Sequence, residues 1–342
     1  MLKAIARRRA LAGIAACVAA GPAWSAPARF PEEATLMVAG PPGGRADHWA
    51  QAISPALGRT LQQAAPLPWQ NVGGPDGVTG ANQFEARAAP DGSIGLLVPG
   101  SAALAWLTGD TRVKFDAARW VPVWAGSSSA ALASRVPLGP GRAVRVGVNS
   151  VTGPELAALL ALDLMGVDVV PIMLDKAGAP PWSRPDVDAV FLQGAGLVAQ
   201  SDHLAARGWR LMLGFGALNG KGELVRDPAF PDLPVAQELI VRPRQDAPLE
   251  LMAALRAVSA AVQLDVALVL PQLSPAAVVA WWRRGCGAMT QSPEVQAEAT
   301  RNVTHPIGPQ LAGGSTAAIT VDVPVLLELR RWLAERYRWR PT

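Results

Sequence analysis

The chain has 342 residues, of which half are hydrophobic and 17% are charged. This composition is typical of a globular protein long enough for two domains. Lysine and arginine outnumber aspartate and glutamate by 31 to 27, but four of the basic residues lie in the first 25 positions, so the remainder carries 27 charges of each sign. Because no basic patch interleaves with aromatic residues, nucleic acid is not expected as a partner.

The first 25 residues have the pattern of a secretory signal peptide. A segment with four basic residues precedes an apolar run from Ala10 to Ala20, and positions 23–25 (AWS) have the small residues of a cleavage site. We therefore expect a mature chain that begins near Ala26 and lies in the periplasm. Twin-arginine export and a lipoprotein anchored at Cys17 are alternatives that the sequence leaves open.

The next segment, Leu36 to Asp47 (LMVAGPPGGRAD), predicts a buried strand, a tight turn and the start of a helix. Asp47 occupies the expected N-cap position, where its side chain would accept a backbone N–H of the first turn. Such a turn directs free N–H groups and the positive end of the helix dipole outward, which suits a small anion. An ordinary strand-to-helix connection has the same pattern.

Further strand–turn–helix units follow in alternating order, which predicts an α/β fold. Strands are expected at 66–72, 94–98, 120–125, 144–148, 168–174, 187–192 and 209–215, and a rigid loop at 227–234 leads to residues 235–239. Helices are expected at 81–89, 101–107, 155–165, 248–262 and 323–338. Residues 264–290 are assigned to no element.

The motifs of enzymes are missing from the sequence. It has no G-x-S-x-G, GxGxxG or Walker motif, and none of the three histidines pairs with another histidine or a cysteine at metal-ligand spacing. Cys286 would be a lone buried thiol once Cys17 is removed. We therefore expect no catalytic residue, no metal and no cofactor, although His48 beside Asp47 would be the candidate base of an enzyme.

Seven segments of the chain occur together, in this order, in one family. They are PPGGRAD at 41–47, NVGGPDGVTGAN at 71–82, AAPDG at 88–92, GVNSVTGPELA at 147–157, GVDVVPIMLDKAGAP at 166–180, VDAVF at 187–191 and FPDLPVAQEL at 230–239. Through these segments the chain resembles the Bug-type extracytoplasmic solute-binding proteins of the tripartite tricarboxylate transporter family. The resemblance is good from about residue 34 to residue 239 and poor beyond.

The resemblance implies a two-lobed periplasmic-binding-protein-like fold of type II. Each lobe would be a mixed, mostly parallel sheet flanked by helices, and a ligand cleft would lie between the lobes. After the signal peptide at 1–25, the first part of lobe 1 would span 26–126 and lobe 2 would span 127–244. Residues 245–342 would return to lobe 1 and end in a helix, with crossovers near Ser127 and Arg244.

The resemblance also implies a function, the capture of a small organic anion, a carboxylate, by a non-catalytic monomer for the membrane permease subunits of a tripartite transporter. A ligand-sensing protein for a membrane sensor and a periplasmic enzyme are the alternatives. The family's ligand contacts fall here on Pro42, Gly43, Gly44, Asp47, Gly77 and Ser101 in the first lobe, and on Ser150, Thr152, Gly153, Lys176 and Gly178 in the second.

Charged residues near the implied site leave the ligand class open. Arg45 could bind a ligand carboxylate through its planar guanidinium, or it could pair with Asp47 or Asp76. Asp175 stands where family members usually have an aromatic residue, and Glu155 departs from a loop that often ends in Ser-His. Two such acids would repel an anion unless they are paired. Relative to the family, residues 264–290 look like an insertion.

Overall fold

A computed structural model describes residues 30–175, 178–219, 223–240 and 247–341. The contacts divide the chain into two compact units, Met1–Phe30 and Pro31–Thr342, and every element below belongs to the second. The expected signal peptide, Lys176 and the expected crossover near Arg244 lie outside the described residues.

Thirteen strands are present in the described residues, and eleven of them form two large sheets. In chain order they are β1 (Thr35–Ala39), β2 (Trp69–Val72), β3 (Ile94–Pro99), β4 (Val121–Ser128), β5 (Ala130–Ser134), β6 (Ala143–Val148), β7 (Asp168–Met173), β8 (Ala189–Gln193), β9 (Arg210–Gly214), β10 (Ala217–Leu218), β11 (Leu224–Val225), β12 (Leu264–Leu270) and β13 (Thr304–Ile307). The first sheet has the order β13-β4-β12-β3-β1-β2, and the second has the order β7-β6-β8-β5-β9.

Helices connect these strands and cover the sheets. The α-helices in the described residues are α1 (Arg45–Thr60), α2 (Val78–Arg87), α3 (Gly100–Thr108), α4 (Leu156–Leu164), α5 (Gly194–Ala205), α6 (Ala236–Leu239), α7 (Leu249–Gln263), α8 (Ala276–Met289), α9 (Pro293–Asn302), α10 (Pro309–Ile319) and α11 (Val323–Tyr337). None of them alone is long and apolar enough to span a membrane, and only the bent pair α10 and α11 meets that criterion jointly, by length and composition.

The mixed α/β architecture of two helix-flanked sheets confirms the predicted fold class. The pairing is less parallel than expected, because β1 pairs in parallel with β2 and β3 while β12 runs antiparallel to both β3 and β4. In the second sheet β6 is parallel to β7 and β8, and β5 is antiparallel to β8 and β9. The chain passes from the first sheet to the second between β4 and β5, at Ser129.

One local expectation is wrong. Residues 264–290 are not an added segment, since they form β12, which is buried along its whole length in the middle of the first sheet, and then α8. After the loop expected at 227–234, the chain forms the short helix α6, with Val235 as its N-cap residue. The lobe boundaries expected near 126 and 244 stay a prediction.

The apolar core is continuous between the two sheets. One buried cluster contains Val98 of β3, Leu132 of β5, Val146 of β6 and helix residues such as Leu159 and Val258. A second cluster lies on the other face of the first sheet and includes Trp49, Trp124 and Trp282. Because the first cluster includes residues from both sheets, burial of apolar surface stabilises their arrangement as well as each sheet separately.

Candidate functional site

The turn that follows β1 has the predicted form, but Asp47 does not cap α1. Gly43 adopts a left-handed conformation with φ of +70°, Gly44 is the N-cap residue, and the helix begins at Arg45. The Asp47 carboxylate lies in the first turn and accepts hydrogen bonds from Gly43 N at 2.8 Å, Trp69 Nε1 at 2.9 Å and Gln51 Nε2 at 3.0 Å. It therefore reaches back across the N-terminus, as the acidic residue of a capping box does.

This arrangement changes which backbone donors are free. Gly43 N–H is bonded to Asp47, and Gly44 N–H is bonded to the carbonyl of Pro41 at 3.1 Å. The expectation that these two glycines offer free donors is therefore wrong. Among the described residues, the backbone N–H groups of Arg45 and Ala46 have no hydrogen-bond partner, and they lie at the positive end of a 16-residue helix.

Arg45 pairs with neither of the acids considered from the sequence. Its Nε forms a salt bridge with Asp265 of β12, and its Nη2 lies 3.3 Å from Ser128 Oγ and 3.5 Å from the carbonyl of Asn302. Burial raises the pKa of the Asp265 carboxyl, although Arg45, Trp49 and Thr304 act in the opposite direction. The guanidinium therefore sits beside the crossover between the sheets, held by an acid more than 200 positions away.

Gly77 holds the glycine-rich turn after β2 close to the neighbouring strand ends. It has φ of +75° and is the N-cap residue of α2. A Cβ at this position would come 2.7 Å from Pro99 Cδ and 3.3 Å from the carbonyl oxygen of Ala39, so only glycine fits without a shift. The loops that follow β1, β2 and β3 therefore meet at the carboxyl edge of the first sheet, where ligands of α/β proteins bind.

A cavity of about 390 Å³ joins this edge to the second sheet. Its walls include Ser101 from the first turn of α3 and Ser150, Thr152 and Gly153 from the loop between β6 and α4. Four of the candidate residues are thus brought together, one from the helix after β3 of the first sheet and three from the loop after β6 of the second. The remaining lining residues are Asp76, Leu104, Ala105, Thr108, Asp110, Arg112, Pro154 and Trp339.

The polar groups of this cavity are partly engaged with one another. Ser101 Oγ donates to the carbonyl of Asp76 at 3.2 Å, and the Ser150 and Thr152 hydroxyls lie 3.0 Å apart. Thr152 N donates to Ser150 Oγ at 3.2 Å, and Gly153 N donates to the Ser150 carbonyl. Hydroxyls that both donate and accept can also bind a ligand oxygen or nitrogen.

Among the described residues that line the cavity, Arg112 is the one cation, and no sequence pattern indicated its role. Its Nη1 lies 2.8 Å from Asp76, and its Nη2 lies 2.6 Å from Asp110. The hydrogen bonds that Arg112 donates to Asp110 and Asp76 raise the pKa of Arg112, and the bond to Asp110 lowers the pKa of that carboxyl. The pattern D-x-R at 110–112 is too common to indicate a site.

Other candidate residues do not line this cavity. The turn with Pro42, Gly43 and Gly44 does not line it, and neither do Arg45, Asp47, Gly77 or Gly178. Asp175 is exposed, and its carbonyl accepts the N–H of Gly178 at 2.9 Å. His48 lies on a separate groove between α1 and α9 with Glu294 and Arg301. Within the described residues, no group of three His, Cys, Asp or Glu could hold a metal ion.

No model of a known protein family matches this sequence, and no curated protein matches it. Its fold is similar to that of several solved structures. A TctC solute-binding protein from Polaromonas, solved without ligand, is 16% identical with a TM-score of 0.66, over 89% of this chain and 98% of that chain. The periplasmic binding protein BugD is 15% identical with a TM-score of 0.51, over 90% and 99%.

A third similar structure contains a ligand. MatC from Rhodopseudomonas palustris, solved with bound malate, is 20% identical with a TM-score of 0.50, over 89% of this chain and 98% of that chain. At these identities the comparison establishes only that this chain shares its fold with these three structures. The TctC and Bug names agree with the resemblance of the sequence.

Proposed function

We propose that this chain is an extracytoplasmic solute-binding receptor that captures a small organic anion, a carboxylate, for a tripartite tricarboxylate-type transporter. The observation that carries the proposal is the cavity whose walls come from loops of both sheets, at the edges where α/β proteins bind ligands. The fold shared with TctC and BugD supports a binding protein, and the malate in MatC supports a carboxylate ligand.

The proposed ligand site combines the cavity with the neighbouring loops. Ser101, Ser150 and Thr152 would contact the ligand through hydroxyls and Gly153 through its backbone. The twelve residues expected from the sequence stay candidates, but the donors of the first turn would be the N–H groups of Arg45 and Ala46. Arg45 would assist only if the ligand competes with Asp265 for its guanidinium.

The proposal includes the cellular setting. The protein would be exported through residues 1–25, act in the periplasm as a monomer and present its ligand to membrane permease subunits. It would carry out no catalysis. Delivery of the ligand to a membrane sensor would use the same binding step. Identifying the membrane protein that binds the loaded receptor, a permease or a sensor, would distinguish transport from sensing.

Calorimetric titration of the mature chain from Ala26 tests the proposal, with malate, succinate and citrate as probes. Ala105→Trp and Thr152→Trp each place a large side chain into the cavity, the first from α3 and the second from the loop between β6 and α4. Ala297→Trp is the matched control, because Ala297 lines the groove between α1 and α9, whose volume of about 530 Å³ is comparable. Thermal melts confirm that each variant is folded.

We expect at least one acid to bind, and both cavity variants to weaken its binding more than tenfold while Ala297→Trp binds like the parent. The radius of gyration, measured by small-angle X-ray scattering, should fall when the ligand is added, because the two sheets with their helices close around it. The opposite pattern, in which only Ala297→Trp loses binding, would move the site to the other groove. If NMR shows that the bound acid is consumed, the protein is an enzyme and the proposal of a non-catalytic receptor is wrong.

A further inference from the structure

The second sheet is joined differently to the two faces of the first sheet. On one face, the buried apolar cluster that contains Val98 and Leu132 includes residues of both sheets. On the other face, the cluster around Trp49, Trp124 and Trp282 includes no residue of the second sheet within the described part of the chain. Apolar packing therefore fixes the sheets on the first side, and a rotation between them would change distances on the side of α1 and α9.

Arg45, at the start of α1, is held rigidly by the first sheet on this side. Its Nε forms a salt bridge with Asp265 of β12, whose side chain is only 2% exposed. The other oxygen of Asp265 accepts a hydrogen bond from Trp49 Nε1 at 2.7 Å. Because both oxygens of a buried acid are engaged, the guanidinium has a fixed place, and its Nη2 lies 3.3 Å from Ser128 Oγ at the crossover between the sheets.

The turn after α9 contributes to the same cluster and is strained. Val303 has φ of +50°, which is unusual for a β-branched residue. On either side of it, the Asn302 carbonyl lies 3.5 Å from Arg45 Nη2, and Thr304 Oγ1 donates to Asp265 at 3.2 Å. Strained residues persist where their surroundings over-determine them, so this turn also indicates a rigid setting for Arg45.

The second sheet meets the guanidinium at Gly194, the first residue of α5. Gly194 has φ of +55°, and its N–H donates to the carbonyl of Ser129 at 2.8 Å. A Cβ at this position would lie only 3.1 Å from Arg45 Nη2 and 3.2 Å from the carbonyl oxygen of Asn302. The absence of a side chain at 194 therefore lets α5 begin directly against Arg45.

Electrostatics makes this contact a spacer instead of a bond. Because α5 begins at Gly194, the positive end of its dipole lies beside the guanidinium and repels it. The attractive partners belong to the first sheet and its helices, namely Asp265, Ser128 and the carbonyl of Asn302 at the negative end of α9. Arg45 is thus bound on one side of the contact and repelled on the other.

We propose that Arg45 is a positioning residue, a stop that sets how closely the second sheet approaches the first on the side of α1 and α9. Asp265 holds the stop in place, and Gly194 is the surface that rests against it. The inference goes beyond the proposed function and uses it only for the effect on a ligand. The cavity has walls from both sheets, so its width depends on the arrangement that the stop sets.

A distance measurement on the ligand-free mature chain tests the inference. Nitroxide labels are attached to Val198→Cys in α5 and Gln291→Cys before α9, two exposed positions, and double electron–electron resonance gives the distance between them. Cys286 is buried and leaves the labelling to the two new thiols. The variants are Gly194→Ala and the double variant Arg45→Ala with Asp265→Asn, which leaves no buried charge unpaired.

We expect the two variants to move the labels in opposite directions. Loss of the Arg45 side chain should shorten the mean distance, because α5 can approach, and the added methyl group of Gly194→Ala should lengthen it. Arg59→Ala is the matched control, since Arg59 lies on the same helix and pairs with Glu294 on the surface. Arg45→Lys, which keeps a cation for Asp265 and withdraws Nη2 from Gly194, replaces the double variant if that variant does not fold.

An unchanged distance in the folded Arg45 variant would overturn the inference, even if its stability in urea falls, because an ordinary salt bridge affects stability alone. A shift of both variants in the same direction would also overturn it. In calorimetry with malate, succinate and citrate, the affinity for an acid that binds should change at least threefold in the Arg45 variant. Unchanged affinity beside a changed distance would deny the stop a part in binding. If none of the three acids binds, the proposed function fails, and the ligand-free distances still decide the inference.

Discussion

Replacing Asp47 by alanine should destabilise the protein well beyond the loss of a single helix cap. The carboxylate is 5% exposed and accepts hydrogen bonds from three donors that belong to the turn after β1, to α1 and to β2. A hydrogen bond to a charged group contributes about 1.5–3 kcal/mol. The three bonds do not add fully, because Gly43 is exposed and Trp69 is 39% exposed, so both donors regain water in the variant. We therefore expect a loss of about 3 kcal/mol, against about 1 kcal/mol for an ordinary cap.

The pH dependence of this loss gives an independent check. Burial acts to raise the pKa of Asp47, but the hydrogen bonds from Gly43, Trp69, Asn71 and Gln51 outweigh it, so the pKa is lowered on folding. A lowered carboxyl pKa contributes stability that is fully present above the unfolded value of about 3.9 and is lost as the pH falls through the folded value. The difference between the parent and Asp47→Ala should therefore shrink below about pH 4.

Urea denaturation at pH 7 and at pH 3.5, followed by tryptophan fluorescence and circular dichroism, measures both effects. Asp186→Ala serves as the control, because this carboxylate is exposed and paired with Arg184, and its removal should leave the midpoint unchanged. A loss at pH 7 no larger than that of the control, or a loss that does not change with pH, would refute the role assigned to Asp47.

Three further predictions concern parts of the fold outside the site. Burial raises the pKa of the Cys286 thiol, so Ellman's reagent should label it only after unfolding, and rapid labelling of the native protein would contradict its placement. Asp163→Ala removes the carboxylate that accepts a hydrogen bond from Trp332 Nε1 at 2.8 Å. The free energy of unfolding in urea should fall by about 2–4 kcal/mol, and a change below about 0.5 kcal/mol would contradict a role of this contact in holding α11 on α4. Gly77→Ala should lower the free energy of unfolding by about 2–4 kcal/mol, and Gly166→Ala by about 1 kcal/mol. Both glycines have φ of +75°, but an added Cβ would meet close neighbours only at Gly77. Equal losses in the two variants would show that backbone strain alone is responsible.

Local patterns predicted the elements whose ends are marked by turn residues. The strand, Gly/Pro turn and helix around residue 43 are an example, because each boundary is set by residues next to it in the chain. The passage from α7 to β12 carries no such mark. Leu264 follows Gln263 directly, so a helical period changes into a fully buried strand without a glycine or proline between them.

The ion-pair partners of the charged residues could not be predicted from local sequence patterns. Arg45 bonds to Asp265 and Arg112 bonds to Asp76, across 220 and 36 positions of sequence. Which acid an arginine meets depends on strand order, and the order β4-β12-β3 inserts a late strand between two early ones. The family resemblance nevertheless pointed to Ser101 and to the loop at 150–153, since both follow recognisable strand ends.

The late position of β12 in the chain has a consequence for biosynthesis. All five strands of the second sheet lie between residues 130 and 214, so they leave the ribosome together and can pair before the first sheet is complete. β3 must wait with one unpaired edge until Leu264–Leu270 has been synthesised, and β4 must wait with both edges unpaired, because its two neighbours are β12 and the still later β13. Contacts this distant in sequence slow folding, and open strand edges invite association with other chains. A nascent chain stopped before residue 264 would therefore contain all five strands of the second sheet, but in the first sheet only β1, β2 and β3 would be paired and β4 would have no partner.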